Sequence, residues 1–319
     1  MSDQFLVTGG AGFIGSHLVR RLLADGGRVR VIDNLATGKR ERLRDLEGAV
    51  EFIEGDLADP FTCENALSGI DCVLHQAAVP SVQRSVKNPI ETNKANITST
   101  LNLLEGCRKR GVRRIVYASS SSAYGDTPVL PKREDMPPNP LSPYALQKFV
   151  GERYCQLYFR LYGLETVSLR YFNVFGPSQD PYSEYSAVIP KFATRLRQGE
   201  SIVVYGNGEQ SRDFTYVDNV VEANILALRA PRAAGSVINV GCGERITLNR
   251  LIKILEEILE VQATVDYQPA RPGDVRDSLA DISLAEEILG YRPKVALEEG
   301  LRRTVAWFAS NAGGVQSGK

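Results

Sequence analysis

The turn Gly9-Gly10-Ala11-Gly12-Phe13-Ile14-Gly15, directly after the apolar run Phe5-Leu6-Val7, constrains this chain more than any other feature. Glycines between a strand and a helix let another group approach the backbone closely. The helix that follows opens with free N–H groups and the positive end of its dipole. Gly9, Gly12 and Gly15 form a variant of the dinucleotide fingerprint, and Phe13 and Ile14 lie inside it. Taken alone, the spacing also suits an ordinary tight strand–helix turn. Asp33 narrows the choice, because it ends the next strand-like run, with Asn34 beside it. A carboxylate there accepts a ribose 2′-hydroxyl and repels a 2′-phosphate, which favours NAD over NADP. Lys39 and Arg40 pull weakly the other way and read equally well as solvated loop charges.

Strand-like runs at 5–8, 29–33, 50–54, 72–75, 115–119 and 166–170 alternate with helical stretches at 12–24, after Pro60, at 90–110 and at 143–162. This pattern predicts an α/β fold, a doubly wound, Rossmann-like parallel sheet covered on both faces. Past Tyr171 the pattern loosens. A helix is expected at 188–198, closed by Gly199, then a strand at 237–240, a helix at 248–259, a strand at 264–267 and a helix at 297–309. The expected division is a NAD-binding part at 1–171, with returns near 213–242, and a smaller, interleaved C-terminal substrate lobe at 172–319. The tail from Gly313 is expected to fray.

A second motif adds chemistry. Tyr144-Ala-Leu-Gln-Lys148 follows a plausible helix start, with Ser142 as N-cap and Pro143 at the first helical position. Lys148 falls on the helix face of Tyr144. A phenol titrates near 10, so using it as a base near pH 7 takes roughly 3 units, about 4 kcal/mol. A neighbouring ammonium supplies part of that. Tyr-x-x-x-Lys is also a common surface pair. The serine run 119–122, at the strand end where open α/β sheets bind ligands, favours the chemical reading.

Composition excludes several classes. The 319 residues carry 38 basic and 38 acidic side chains, so no nucleic-acid or membrane partner is indicated. No apolar stretch approaches the roughly 20 residues of a membrane span. The first strand begins too early to leave room for a secretory leader. The five cysteines are scattered without a CxxC pair and read as buried reduced thiols, which implies a cytoplasmic protein. With two histidines, His17 and His75, a histidine-rich metal site is excluded and no metal is expected.

The glycine turn, Asp33, Asp56-Leu57, His75-Gln-Ala-Ala78, the serines before Tyr124-Gly125 and Tyr144-x3-Lys148 together resemble the extended short-chain dehydrogenase/reductase family. Arg170 through Pro177, Ser211-Arg212-Asp213-Phe214 and Arg271-Pro-Gly-Asp274 resemble its nucleotide-sugar branch, above all the UDP-hexose 4-epimerases acting on N-acetylated sugars. The likeness spans nearly the whole chain.

The resemblance implies Ser120, Tyr144 and Lys148 as catalytic residues, with Ser121 a second contact. It implies adenine contacts from Asp56 and Leu57, a nicotinamide pocket lined by Ala77 and Ala78, and Asn96 on the helix behind. His75 reads as a packed strand-end residue. Asn173, Arg212, Arg271 and Asp274 match diphosphate, uridine and ribose contacts, and Ser81, Val188 and Tyr205 join the substrate side. A homodimer through the 90–110 and 143–162 helices is implied as well. The expected reaction is reversible inversion at C4 of a UDP-hexose through a 4-keto sugar on retained NAD. In the family the position of Ser278 gates the sugar pocket: a tyrosine closes it to a 2-acetamido group, a serine leaves it open, and Pro80-Ser81-Val82 points the same way. Ser121-Ser122 stand where dehydratases carry an Asp-Glu pair and near where decarboxylases need a glutamate. The alternatives are a UDP-glucuronate 4-epimerase or decarboxylase, a net-redox reductase, or an NAD-sensing regulator, against which the complete Ser-Tyr-Lys set argues.

Overall fold

The computed structural model describes residues 3–181, 187–270 and 275–311. Its centre is a seven-stranded sheet of β1 (Gln4–Thr8), β2 (Arg28–Asp33), β3 (Val50–Glu54), β4 (Cys72–His75), β5 (Arg114–Ser120), β6 (Glu165–Tyr171) and β7 (Val237–Val240). The order is β7-β6-β5-β4-β1-β2-β3, with every pairing parallel. This is the doubly wound arrangement expected. Chain direction across the sheet reverses between β1 and β4, which opens a crevice at their carboxyl ends. Residues of β4, β5 and β6 are almost all buried, as a sheet covered on both faces requires.

Helix α1 (Phe13–Ala24) begins after Gly12 as N-cap. The predicted 90–110 helix starts at Pro89 and runs through a single π turn, Lys94–Thr98, before α2 (Ser99–Arg110). Helix α3 (Pro143–Tyr162) starts as its sequence predicts, with Ser142 Oγ accepting from Ala145 N at 3.2 Å. Gly199 follows the Val188–Arg197 helix with φ +70°. Among the described residues, three α-helices go beyond the sequence expectation: Val82–Lys87, α4 (Val217–Arg229) and Ser283–Leu289. Helix α4 lacks a side-chain cap and buries nine residues, leaving a narrow stripe of Asp218, Glu222, Leu226 and Arg229 toward solvent, so no local signal marks its start.

Three small ladders shape the other side of the crevice. Val174–Phe175 pairs with Thr215–Tyr216, Ser211–Arg212 with Ile246–Thr247, and Ile202–Tyr205 with Val265–Gln268. A bridge from Ser211 to Asp277 brings Ser278 beside Arg212. Among the described residues no helix is long and apolar enough to cross a membrane. None of the five cysteines is in a disulfide, and four are buried.

Candidate active site

The crevice is a cavity of about 970 Å³. One part of its wall is the glycine turn. A Cβ at Gly9, whose φ is +66°, would stand 2.7 Å from Ala77 N, and one at Gly12 would stand 2.9 Å from Gly9 O. The bare backbone at these positions is therefore obligatory. Phe13, Ile14, Asn34, Asp56, Leu57, Ala77 and Ala78 also line the cavity. Asp33 is buried, accepting from Ala11 N at 3.0 Å and Leu35 N at 2.8 Å, and burial raises its pKa. A Cβ at Gly38 would reach within 2.6 Å of that carboxylate. The cradle and the buried carboxylate suit a dinucleotide: N–H groups for a pyrophosphate and an acceptor for a ribose hydroxyl.

Ser120, Tyr144 and Lys148 line the same cavity. Ser120 closes β5, and its Oγ accepts from Ser122 N at 3.2 Å and Ser122 Oγ at 2.9 Å. The N-terminus of α3 is tied down by Ser85 Oγ, which accepts from Tyr144 N at 3.0 Å. Burial lifts the Tyr144 phenol above its ordinary value, and a hydrogen bond with Ser120 offsets part of that. Lys148 is buried and brought down to about 8 by desolvation. Its Nζ donates to Ala118 O at 2.7 Å and lies 5.1 Å from the Tyr117 ring centre.

His75 does not share in this chemistry. Thr100 Oγ1 donates to Asn96 O, so it accepts from His75 Nε2 at 2.9 Å, while Thr8 Oγ1 meets Nδ1 at 2.7 Å. The ring is a neutral Nε2–H tautomer, and burial lowers its pKa to about 3.

The remaining sequence candidates divide. Ser81, Ser121, Asn173, Arg212 and Ser278 line the cavity. Arg212 Nη1 donates to Ser211 O and Arg276 O, both at 2.8 Å, and Asn173 Nδ2 to Asp213 O at 2.9 Å. Val188 and Tyr205 are not among the lining residues, although Ala187, just before Val188, is. Asn96 is not among the lining residues either, although its neighbour Ala95 is. It is fully buried behind the wall, accepting from Val79 N at 2.8 Å and donating to Gln147 Oε1 at 2.8 Å. It braces the Val79 segment, which itself lines the cavity. Arg271 and Asp274 lie outside the described residues.

Sequence reading missed Arg42, which lines the cavity and ties the two sides of the crevice. Its guanidinium donates to Ala11 O at 3.0 Å and to Ser178 O at 3.0 and 3.2 Å, while Lys39 pairs with Asp180 at 3.0 Å. No local signal announces such carbonyl contacts. Among the described residues no group of three or more His, Cys, Asp or Glu could hold a metal ion.

The profile of the NAD dependent epimerase/dehydratase family matches residues 5–241. The chain belongs to this family. A putative UDP-glucose 4-epimerase of Methanocaldococcus jannaschii is 40% identical over 310 residues, covering 97% of this chain and 99% of its own. The solved UDP-N-acetylglucosamine 4-epimerase from Methanobrevibacter ruminantium, in complex with UDP-N-acetylmuramic acid, is 44% identical. Its TM-score is 0.93, with 98% of this chain and 100% of that one covered. The UDP-glucose 4-epimerase of Thermus thermophilus, solved with NAD, is 41% identical with TM-score 0.88, covering 96% and 99%. Membership of the NAD dependent epimerase/dehydratase family makes the chain an enzyme and NAD its cofactor.

Proposed function

We propose that this protein inverts C4 of a UDP-hexose through a transient 4-keto sugar, accepting UDP-N-acetylglucosamine and UDP-N-acetylgalactosamine as well as UDP-glucose and UDP-galactose. The observation that carries this reading is one cavity lined both by the glycine cradle and Asp33 and by Ser120, Tyr144 and Lys148. Bound NAD supplies the hydride acceptor and donor. Tyr144 takes the 4-hydroxyl proton and later returns it, and Ser120 holds the 4-oxygen. Lys148 favours the phenolate by its charge. The flat keto sugar presents its other face by turning within the cavity. Ser278 beside Arg212, with Pro80, Ser81 and Val82 also on the wall, supports room for a 2-acetamido group.

In this reading 1–171 hold NAD and 172–319, interleaved with them, hold the UDP-sugar. Arg212 and Asn173 face the diphosphate and ribose, and Arg271 and Asp274 join them. Exposed Val86 and Ile90, with Leu146, Leu157 and Leu161 along α3, support a homodimer through these helices. The free, buried thiols support a reducing, cytoplasmic setting.

The test is incubation of purified protein with UDP-glucose and UDP-N-acetylglucosamine without added reductant, followed by chromatography. Both 4-epimers are expected. Tyr144→Phe should turn over roughly 100-fold or more slowly with NAD still bound; near-normal turnover in that variant sinks the assignment.

A further inference from the structure

Behind the proposed catalytic residues lies a charge that the chemistry above does not use. Glu152 follows Lys148 by one turn of α3 and Tyr144 by two, so the three side chains share a face. Its side chain is 1% exposed, and that of Arg170 on β6 is 4% exposed. Arg170 Nε and Nη2 donate to the two carboxylate oxygens at 2.8 and 2.7 Å. The hydroxyl of Ser119, the residue before Ser120, donates to Glu152 Oε1. On its far side the guanidinium lies 4.5 Å from the centre of the Tyr124 ring, whose hydroxyl donates to Asn239 Oδ1 at 2.7 Å. A buried ion pair adds little net stability compared with well-packed apolar residues of similar volume. Stability alone therefore does not account for a charged pair at this spot.

Two effects converge on the centre. Ser120 is pinned from both sides, by Ser122 hydrogen bonding to its Oγ and by Ser119 anchored to Glu152. Lys148 is buried, and desolvation disfavours its charge. His75 on β4 faces it as a neutral ring, Tyr117 and the Ala118 carbonyl face it from β5, and Cys155 from α3. Burial keeps the Tyr117 phenol and the Cys155 thiol protonated, so neither carries charge at neutral pH. Glu152 is the carboxylate whose field favours the ammonium, with Arg170 holding it in place.

We propose that Glu152 is a positioning residue of this centre: clamped by Arg170, its carboxylate anchors the strand end that carries Ser120 and holds Lys148 as an ammonium. The proposal rests on the reading of Ser120, Tyr144 and Lys148 given above, and its test separates the two.

The full-length, NAD-loaded protein is compared with Glu152→Gln, Glu152→Asp and Ser119→Ala. Lysine labelled with 13C at Cε reports the titration of Lys148 by NMR whether or not the chain epimerises, and kcat and KM are measured with a UDP-hexose. In Glu152→Gln, Lys148 is expected to titrate about one pH unit lower, with kcat down about tenfold and KM changed less than about threefold. Glu152→Asp keeps the charge and should recover most of the loss. Ser119→Ala leaves the ion pair whole and should lower kcat alone. A folded Glu152→Gln with wild-type Lys148 titration and kcat overturns the proposal. If that variant does not fold, wild-type kcat in Ser119→Ala overturns it instead. A wild-type protein that epimerises no UDP-hexose overturns the reading of the reaction, and the Lys148 titration then decides the role of Glu152 by itself.

Discussion

Replacing Gly15 by alanine tests the cofactor cradle at its tightest point. The added Cβ would lie 2.1 Å from Gly9 O and 2.8 Å from Gly10 Cα. Ordinary carbon–oxygen contact needs about 3.2 Å, so roughly 1 Å of overlap must be relieved. Gly9 O cannot simply retreat, because it accepts from Gly12 N at 2.9 Å and closes the turn. Alanine is otherwise the better helix former at this position. Relief therefore has to come from opening the turn, at a cost of about 3 kcal/mol. For a chain of 319 residues that corresponds to a Tm lowered by about 4 to 5 °C. The opened turn also loses its aim at the pyrophosphate, so the purified variant should carry little NAD. Gly26→Ala is the control. Gly26 has φ +81° with nothing within 4 Å of the added carbon, so only backbone strain, about 1 kcal/mol, is expected, with NAD retained. Thermal unfolding and the nucleotide released on denaturation are the measurements. If Gly15→Ala melts within a degree of wild type and keeps its NAD, the steric argument is wrong.

Three further outcomes follow, two at the cavity and one at a buried carboxylate beside it. Because the buried Asp33 carboxylate faces the cavity, denatured protein should release NAD, and an extract holding mostly NADP would refute this. Ser278→Tyr should abolish turnover of UDP-N-acetylglucosamine and spare UDP-glucose, since a ring added at this buried wall position meets the acetamido group; equal loss of both would refute the gate. Asp213 accepts from Cys242 N, Gly243 N and Ala280 N, yet burial lifts its pKa from 3.8 to about 6. A raised carboxylate pKa means the folded state holds the proton more tightly. Its contribution to stability is thus present below about pH 4 and lost as pH rises through 6, by about 3 kcal/mol at most. Asp213→Asn should be less stable throughout, and its deficit relative to wild type should shrink between pH 4 and 6.5. A deficit that is constant across that range would contradict the assignment.

Legibility in the sequence follows locality. The glycine turn, the strand ending in Asp33 and the cap-and-proline start of α3 are each written within a few residues, and each stands where the sequence places it. Helix α4 escapes a sequence reading because no side-chain cap marks its start and its solvent stripe, Asp218, Glu222, Leu226 and Arg229, is narrow. The packing of Asn96 is not legible either: a π turn at Lys94–Thr98 places its side chain against Val79 and Gln147, segments far from it in the chain.

The sequence by itself determined the parallel doubly wound class, the glycine turn before α1 and the shared helix face of Tyr144 and Lys148, because periodicity, turn chemistry and helical spacing act over a handful of residues. Tertiary structure decided which distant groups meet. Ser85 under the start of α3, Arg42 across the crevice, and Glu152 between Ser119 and Arg170 each join segments far apart in the chain. Such contacts depend on strand order and helix docking, and neither leaves a local mark on the residues it brings together.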